Sequence, residues 1–134
     1  MPAMNTTADT DAPLYLGLMS GTSADGIDAA LVQFPAGGGC RFVHGLTARW
    51  EPVLRARLVA LGEGGPLDSL EELGELDARI AISFAGAANQ LLAEAGVDRS
   101  QVRAIGSHGQ TVRHRPLADP AFTVQLGDGN RIAE

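Results

Sequence analysis

Lysine is absent from this sequence of 134 residues, and all ten basic side chains are arginine. A Walker A loop is therefore excluded, because that motif needs a lysine to bind the nucleotide phosphates. Cysteine occurs once, at Cys40, so the chain cannot form an internal disulfide. No apolar run approaches the ~18 residues that a membrane-spanning helix needs. We therefore expect a cytoplasmic protein that does not associate with membranes.

Basic runs are also missing. Acidic residues outnumber basic ones by 16 to 10, which gives a formal charge of −6. Such a chain lacks the electrostatic footprint that binding to a phosphate backbone requires, so we expect no nucleic-acid partner. The hydrophobic content of 45% is too high for a disordered acidic segment, and the length fits one domain.

The first half of the chain predicts a tail followed by strands. Residues 1–13 lack apolar periodicity, which is typical of a flexible tail. Three short apolar runs bounded by turn residues predict consecutive strands over residues 14–19, 27–34 and 41–50. Their short connections indicate an antiparallel meander.

The second half changes to helical periodicity. Pro52 and Gly62 suit the start and the end of one helix. Apolar residues three or four apart predict a long helix over residues 70–95, with its capping box framed by either Ser69 or Asp68. Strands are predicted next, over residues 102–107 and 122–126, and a helix opens at the end of the chain.

The turn over residues 19–28 is the first candidate site. Its two glycines permit a tight hairpin whose backbone N–H groups converge on an anion, and hydroxyls of Thr22 and Ser23 can donate to phosphate. Asp25 and Asp28 are candidate Mg²⁺ ligands, directly or through water. The alternative is an ordinary hairpin in which Gly, Ser and Asp only satisfy the turn geometry.

The segment over residues 105–116 is the second candidate, because it places several polar groups at the end of a predicted strand. His108 and His114 are candidates for an acid, a base or a ligand, or are structural donors. Arg113 and Arg115 suit a phosphate or carboxylate, although exposed arginines are common in hairpins. In a third segment, over residues 125–131, Asp128 suits either a cap of the last helix or a contribution to a cleft, and we favour the cap.

Three blocks, in order, resemble the anhydro-N-acetylmuramic acid kinase family. They are YLGLMSGTSADGIDAALV at residues 15–32, AIGSHGQTVRHRP at 104–116 and TVQLGDGNRIAE at 123–134. The resemblance implies an α/β fold, namely the ribonuclease-H-like N-terminal core of the actin, heat-shock-70 and sugar-kinase superfamily. Residues 14–134 would form the N-terminal part of the first lobe of such a kinase, truncated before the lobe is complete.

The resemblance also implies where the ligands bind. The hairpin that wraps the phosphates of ATP falls on Gly21, Thr22, Ser23, Ala24, Asp25, Gly26, Ile27 and Asp28. Side chains expected to bind the sugar are His108, Gln110, Thr111 and Arg113. Mg²⁺ accompanies ATP, and Asp25 and Asp28 are its candidate partners through water.

The implied reaction opens the anhydro bridge of 1,6-anhydro-N-acetylmuramic acid with water and phosphorylates O6 from ATP. The products are N-acetylmuramic acid 6-phosphate and ADP, in the cytoplasmic recycling of bacterial peptidoglycan. The family's catalytic aspartate belongs to a later block, so we expect this chain to be an inactive N-terminal fragment of a homodimeric kinase. The alternative is a non-catalytic remnant that acts as an interaction module.

Overall fold

The computed structural model describes residues 12–134, and the predicted tail lies outside the described residues except for its last two positions. A five-stranded sheet forms the centre of the fold, in the order β3-β2-β1-β4-β5. The strands are β1 (Leu14–Ser20), β2 (Ile27–Gln33), β3 (Arg41–Ala48), β4 (Val102–Arg115) and β5 (Phe122–Leu126).

The pairing of these strands is mixed. β1 is antiparallel to β2, with Leu14 opposite Gln33 and Met19 opposite Asp28. β2 is antiparallel to β3, which confirms the predicted meander. β4 is parallel to β1, and the helices provide the crossover that a parallel pair requires. The α/β fold expected for the N-terminal core is therefore present.

Helices form where the sequence predicts them. They are α1 (Pro52–Gly62), α2 (Leu70–Ala95) and α3 (Gly129–Ala133). Ser69 begins α2, because its side chain accepts a hydrogen bond from the N–H of Glu72. Gly96 ends α2 in the left-handed region, at φ 68°. Asp128 caps α3 as predicted, accepting from the N–H of Asn130. Within residues 12–134, no helix combines the length and apolarity needed to cross a bilayer.

The core lies between the sheet and α2. Phe84, Ile80 and Leu91 of α2 are fully buried, and they belong to the same cluster as Leu16 and Leu31 of the sheet. The alternation of buried residues along β1 and β2 explains this layering, because side chains in a strand point alternately to opposite faces.

Two predicted boundaries are wrong by two residues or more. The third strand ends at Ala48 and not at residue 50. The polar segment predicted to follow a strand at residue 107 lies inside β4, which continues to Arg115 because β5 pairs with its second half. The strand bends between these halves: Gly109 has φ 74°, and a Cβ there would lie 2.6 Å from the backbone oxygen of Leu126.

Candidate functional site

The β1–β2 connection is a tight turn, as the sequence predicts. The N–H of Ala24 donates to the carbonyl of Gly21 at 3.0 Å. Ala24 itself is fully buried and has φ 51°, a value that L-residues rarely adopt. Gly26 lies against β3, since a Cβ there would be 2.5 Å from Cγ2 of Thr47. Ile27 is buried as well, so Ala24 and Ile27 anchor the turn in the core.

Backbone donors are available in this turn. Among the described residues, the N–H groups of Thr22 and Ser23 make no hydrogen bond. A Cβ at Gly21 would meet no atom within 4 Å, so the space beside the turn is open. The hydroxyl of Ser23 donates to Oδ2 of Asp25 at 2.8 Å and is therefore engaged. Free N–H groups beside open space suit an anion.

The two carboxylates of the turn are both partnered. Asp25 accepts from Ser23 and lies 3.4 Å from Nη2 of Arg55. Asp28 accepts from the hydroxyl of Thr47 at 2.6 Å. Between residues 12 and 134, no three His, Cys, Asp or Glu side chains group as metal ligands would. These carboxylates suit Mg²⁺ that arrives with phosphate oxygens and keeps its water, since Mg²⁺ is commonly held by one or two carboxylates.

Gln110 connects β4 to this turn. Its side chain is fully buried, and its amide nitrogen donates to the carbonyl of Gly21 at 3.0 Å and to that of Thr111 at 3.1 Å. The side-chain oxygen of Gln110 is buried without a partner among the described residues. The bulge at Gly109 makes this contact reachable, because the four residues of β4 from Ser107 to Gln110 lie opposite only three residues of β1, from Leu18 to Ser20.

A polar cleft of about 330 Å³ opens beside the turn. It is lined by Thr22, by the end of α1 and the start of the α1–α2 loop at residues 62–64, and by four residues of β4, which are Thr111, Arg113, His114 and Arg115. Two arginines against one carboxylate, Glu63, give the lining a positive balance at neutral pH. An anionic or hydroxyl-rich ligand therefore suits the cleft better than an apolar one.

Hydrogen bonds hold two side chains of the cleft in place. Nη2 of Arg113 donates to the carbonyl of Gly65 at 2.6 Å, whereas its Nε is buried and has no partner among the described residues. Oγ1 of Thr111 accepts from the amide of Gln125 on β5 at 3.1 Å. The hairpin formed by β4 and β5 therefore orients Thr111, and the α1–α2 loop orients Arg113.

An ion pair fixes the loop that carries Gly65. Nε of Arg57 donates to Glu72 at 2.8 Å, and its Nη2 donates to the carbonyl of Pro66 at 2.9 Å. The hydrogen bonds from Arg57, followed by that from the N–H of Asp68, lower the pKa of Glu72 to about 2. Glu72 thus remains charged across the physiological range and keeps the loop beside the cleft.

Of the four side chains expected at the sugar, three lie together. Gln110 contacts the turn, and Thr111 and Arg113 line the cleft. His108 does not line the cleft; it is exposed, and its one side-chain hydrogen bond among the described residues is with the neighbouring carbonyl of Gly109 at 3.4 Å. His114, whose role the sequence left open, does line it.

Sequence reasoning missed Arg55, which contacts the turn from α1. Residue 55 is about thirty positions from the turn, and no local pattern marks such a contact. Arg55 is an exposed residue of α1, and nothing in the sequence distinguishes it from an ordinary solvated arginine.

Known proteins match this chain over almost its whole length. A family model for anhydro-N-acetylmuramic acid kinase matches residues 13–134. The curated kinase of that name from Xanthomonas campestris pv. campestris (strain 8004) is 62% identical over 133 residues, which are 98% of this chain and 35% of the relative. The one from Vibrio vulnificus (strain CMCP6) is 48% identical over 120 residues, covering 90% of this chain and 32% of the relative.

The chain thus spans about a third of the length of the curated relatives that it matches. The match includes the turn, the bulged strand and the cleft described above. On this evidence the chain belongs to the anhydro-N-acetylmuramic acid kinase family.

Proposed function

We propose that this chain forms the phosphate-binding part of an ATP-dependent kinase that acts on 1,6-anhydro-N-acetylmuramic acid. In this reaction, water opens the anhydro bridge and the freed O6 accepts the γ-phosphoryl group, giving N-acetylmuramic acid 6-phosphate and ADP. The observation that carries the proposal is the turn with free N–H groups at Thr22 and Ser23, directly beside a positively lined cleft.

The turn is assigned to the phosphates of ATP. The N–H groups of Thr22 and Ser23 donate to phosphate oxygens, and the open space at Gly21 admits them. Because the turn is anchored by buried Ala24 and by Gln110, these donors are held in place before the nucleotide binds. Fixed donors stabilise charge that develops on the transferring phosphoryl group at little reorganisation cost.

Mg²⁺ is assigned to the same side of the turn. Asp25 and Asp28 would hold it through water, because each carboxylate already has a protein partner. The ion would neutralise negative charge on the phosphates during transfer. Exposure of Asp25 and Asp28 leaves room for those water molecules.

The cleft is assigned to the sugar. Thr111 can hydrogen-bond a hydroxyl, and Arg113 can donate to a carboxylate or to the phosphorylated product. Thr22 belongs to the turn and also lines the cleft, so a sugar bound in the cleft lies next to phosphates bound at the turn. We assign no sugar contact to His108, although it is predicted at the sugar, because it does not line the cleft.

We further propose that the carboxylate that activates the attacking water comes from polypeptide outside the matched third of the relatives. The cleft is lined by one carboxylate among the described residues, the exposed Glu63 on the α1–α2 loop. The isolated 134-residue chain should then show no turnover. Homodimer formation and a cytoplasmic location stay predictions.

A chimera tests these assignments. Residues 13–134 of this chain would replace the matched segment of the X. campestris kinase, which supplies the remaining two-thirds. Incubated with ATP, Mg²⁺ and 1,6-anhydro-N-acetylmuramic acid, the chimera should form a product that has gained one water and one phosphoryl group, detected by mass spectrometry. The isolated chain, assayed in parallel, should form none.

Variants locate the phosphates within the chimera. Gly21→Val fills the open space beside the turn and Asp25→Ala removes a carboxylate, so both should raise the KM for ATP. Gly37→Val is the matched control, because position 37 is also exposed with no atom within 4 Å of its Cβ. An unchanged KM for ATP in both turn variants would exclude the turn as the phosphate site. Turnover by the isolated chain would exclude the proposal that the water-activating carboxylate comes from polypeptide outside this chain.

A further inference from the structure

Arg55 contacts the turn from the side of α1. Its Nε donates to the carbonyl of Ala24 at 2.8 Å, and its Nη2 lies 3.4 Å from the carbonyl of Ser23. The same Nη2 is 3.4 Å from Oδ1 of Asp25. One guanidinium group therefore contacts three consecutive residues of the turn, which makes the contact far more specific than a single surface ion pair.

These contacts bear on the direction of the backbone donors. A trans peptide is planar, so its carbonyl and its N–H point in opposite directions. When Arg55 holds the carbonyl of Ala24, the N–H of Asp25 must point away from α1. This N–H makes no hydrogen bond within residues 12–134. Arg55 thus fixes the orientation of the turn without using any of its free donors.

The backbone at this point needs such support. Ala24 has φ 51°, in the left-handed region, which costs an L-residue roughly 1–2 kcal/mol relative to its preferred conformations. Strained backbone persists only where surrounding contacts hold it. The fully buried methyl group of Ala24, together with the hydrogen bond from Arg55, provides those contacts.

Gln110 holds the other end of the same turn. Its amide donates to the carbonyl of Gly21, whereas Arg55 binds the carbonyls of Ser23 and Ala24. The two side chains come from different elements, Gln110 from β4 and Arg55 from α1. The four residues from Gly21 to Ala24 are therefore fixed at both ends, and the N–H groups of Thr22 and Ser23 lie between the two contacts.

We propose that Arg55 is a positioning residue for nucleotide binding, acting through the backbone of Ser23 and Ala24. The kinetic consequence of this inference rests on the proposed function. Arg55 does not contact the nucleotide in this scheme. Its removal should free the Ala24 carbonyl, allow the turn to leave the left-handed conformation and misdirect the donors that receive the phosphates.

The kinetic test uses the chimera with Arg55→Met and Arg55→Lys. Loss of one hydrogen bond to a charged donor corresponds to about a tenfold change in affinity, so Arg55→Met should raise the KM for ATP about tenfold. The KM for the sugar should stay unchanged. Arg55→Lys should lie between Arg55→Met and the parent, because one ammonium group cannot replace the fork of a guanidinium. Added guanidinium ion should lower the raised KM of Arg55→Met.

Arg79→Met is the matched control. Arg79 is also an exposed helical arginine, and it forms no hydrogen bond or ion pair in the part of the chain that the structure describes. Its replacement should change neither KM. Equal rises for ATP and the sugar in Arg55→Met, or no rescue by guanidinium, would indicate a general structural role and overturn the proposal.

A second measurement separates this inference from the proposed function. Amide hydrogen exchange of Ala24, whose N–H donates to the carbonyl of Gly21, should become at least about tenfold faster in the 134-residue chain with Arg55→Met than with Arg79→Met, since loss of one charged hydrogen bond is of that order. Unchanged exchange in the turn overturns the positioning role whether or not the chimera is a kinase. Faster exchange with an inactive parent chimera supports the positioning role and rejects the proposed reaction.

Discussion

Gly109 offers the sharpest test of how the fold builds this site. It lies at the bulge of β4, has φ 74° and approaches β5 so closely that a Cβ would lie 2.6 Å from the backbone oxygen of Leu126. A backbone oxygen in a paired strand cannot move aside as the end of a flexible side chain can. Gly109→Ala therefore combines a strained backbone with a clash.

The magnitude follows from these two costs. The left-handed conformation costs alanine about 1–2 kcal/mol, and overpacking typically adds about 1–3 kcal/mol. The free energy of unfolding should fall by about 2–5 kcal/mol, which for a chain of this length lowers Tm by about 7–18 °C. Movement of the bulge also shifts Gln110, so its hydrogen bond to Gly21 should weaken.

Gly106→Ala is the matched control on the same strand. A Cβ at Gly106 would meet no atom within 4 Å, and this residue has no positive φ. Its replacement should leave the stability unchanged or slightly raised, because alanine restricts the unfolded chain more than glycine. Thermal and urea unfolding of both variants, followed by circular dichroism, give the Tm and the free energy of unfolding. A loss for Gly109→Ala no larger than for Gly106→Ala would refute the reasoning about the bulge.

Three further changes test the packing, the cap and the loop. Phe84→Ala removes a fully buried ring and should lower the free energy of unfolding by about 3–5 kcal/mol, measured by urea denaturation; a loss below about 1 kcal/mol would contradict the burial of this ring. Ser69→Ala removes the N-cap of α2 and should cost about 1 kcal/mol, whereas Ser69→Asp should keep the cap and the stability. The pKa of Glu72 is lowered from 4.5 to about 2 by its partner Arg57, so the charged form stabilises the fold above pH 4.5. That contribution should disappear as the pH falls from about 4.5 to about 2, and the melting temperature of Glu72→Gln should vary less with pH in that window; equal variation would refute the role of the pair.

The helices were predictable because their signals are local. Pro52 and Gly62 bound α1, and Ser69 and Gly96 bound α2, at the positions that the sequence indicates. Each of these residues acts on backbone within a few positions of itself. The same holds for Asp128, whose side chain caps the helix that immediately follows it.

The course of β4 was not predictable in this way. A polar segment containing Gly109 has the composition of a loop, yet it pairs with β1 and β5. Only the partner strands, distant in the sequence, determine that it is extended. The same limit applies to the site, where the turn is visible in the sequence but its contacts with Arg55 and Gln110 depend on tertiary packing.

Of the four side chains expected at the sugar, Thr111 and Arg113 line the cleft, and Gln110 contacts the neighbouring turn. All three belong to the part of β4 that follows the bulge. His108 lies before the bulge and does not line the cleft.

The central claim, that the turn over residues 21–28 binds the phosphates of ATP, is tested most directly by a crystal structure. The chimera would be crystallised with Mg²⁺ and a non-hydrolysable analogue of ATP. The account predicts phosphate oxygens within about 3 Å of the N–H groups of Thr22 and Ser23. A structure in which the nucleotide phosphates contact other elements, while this turn remains free, would contradict it.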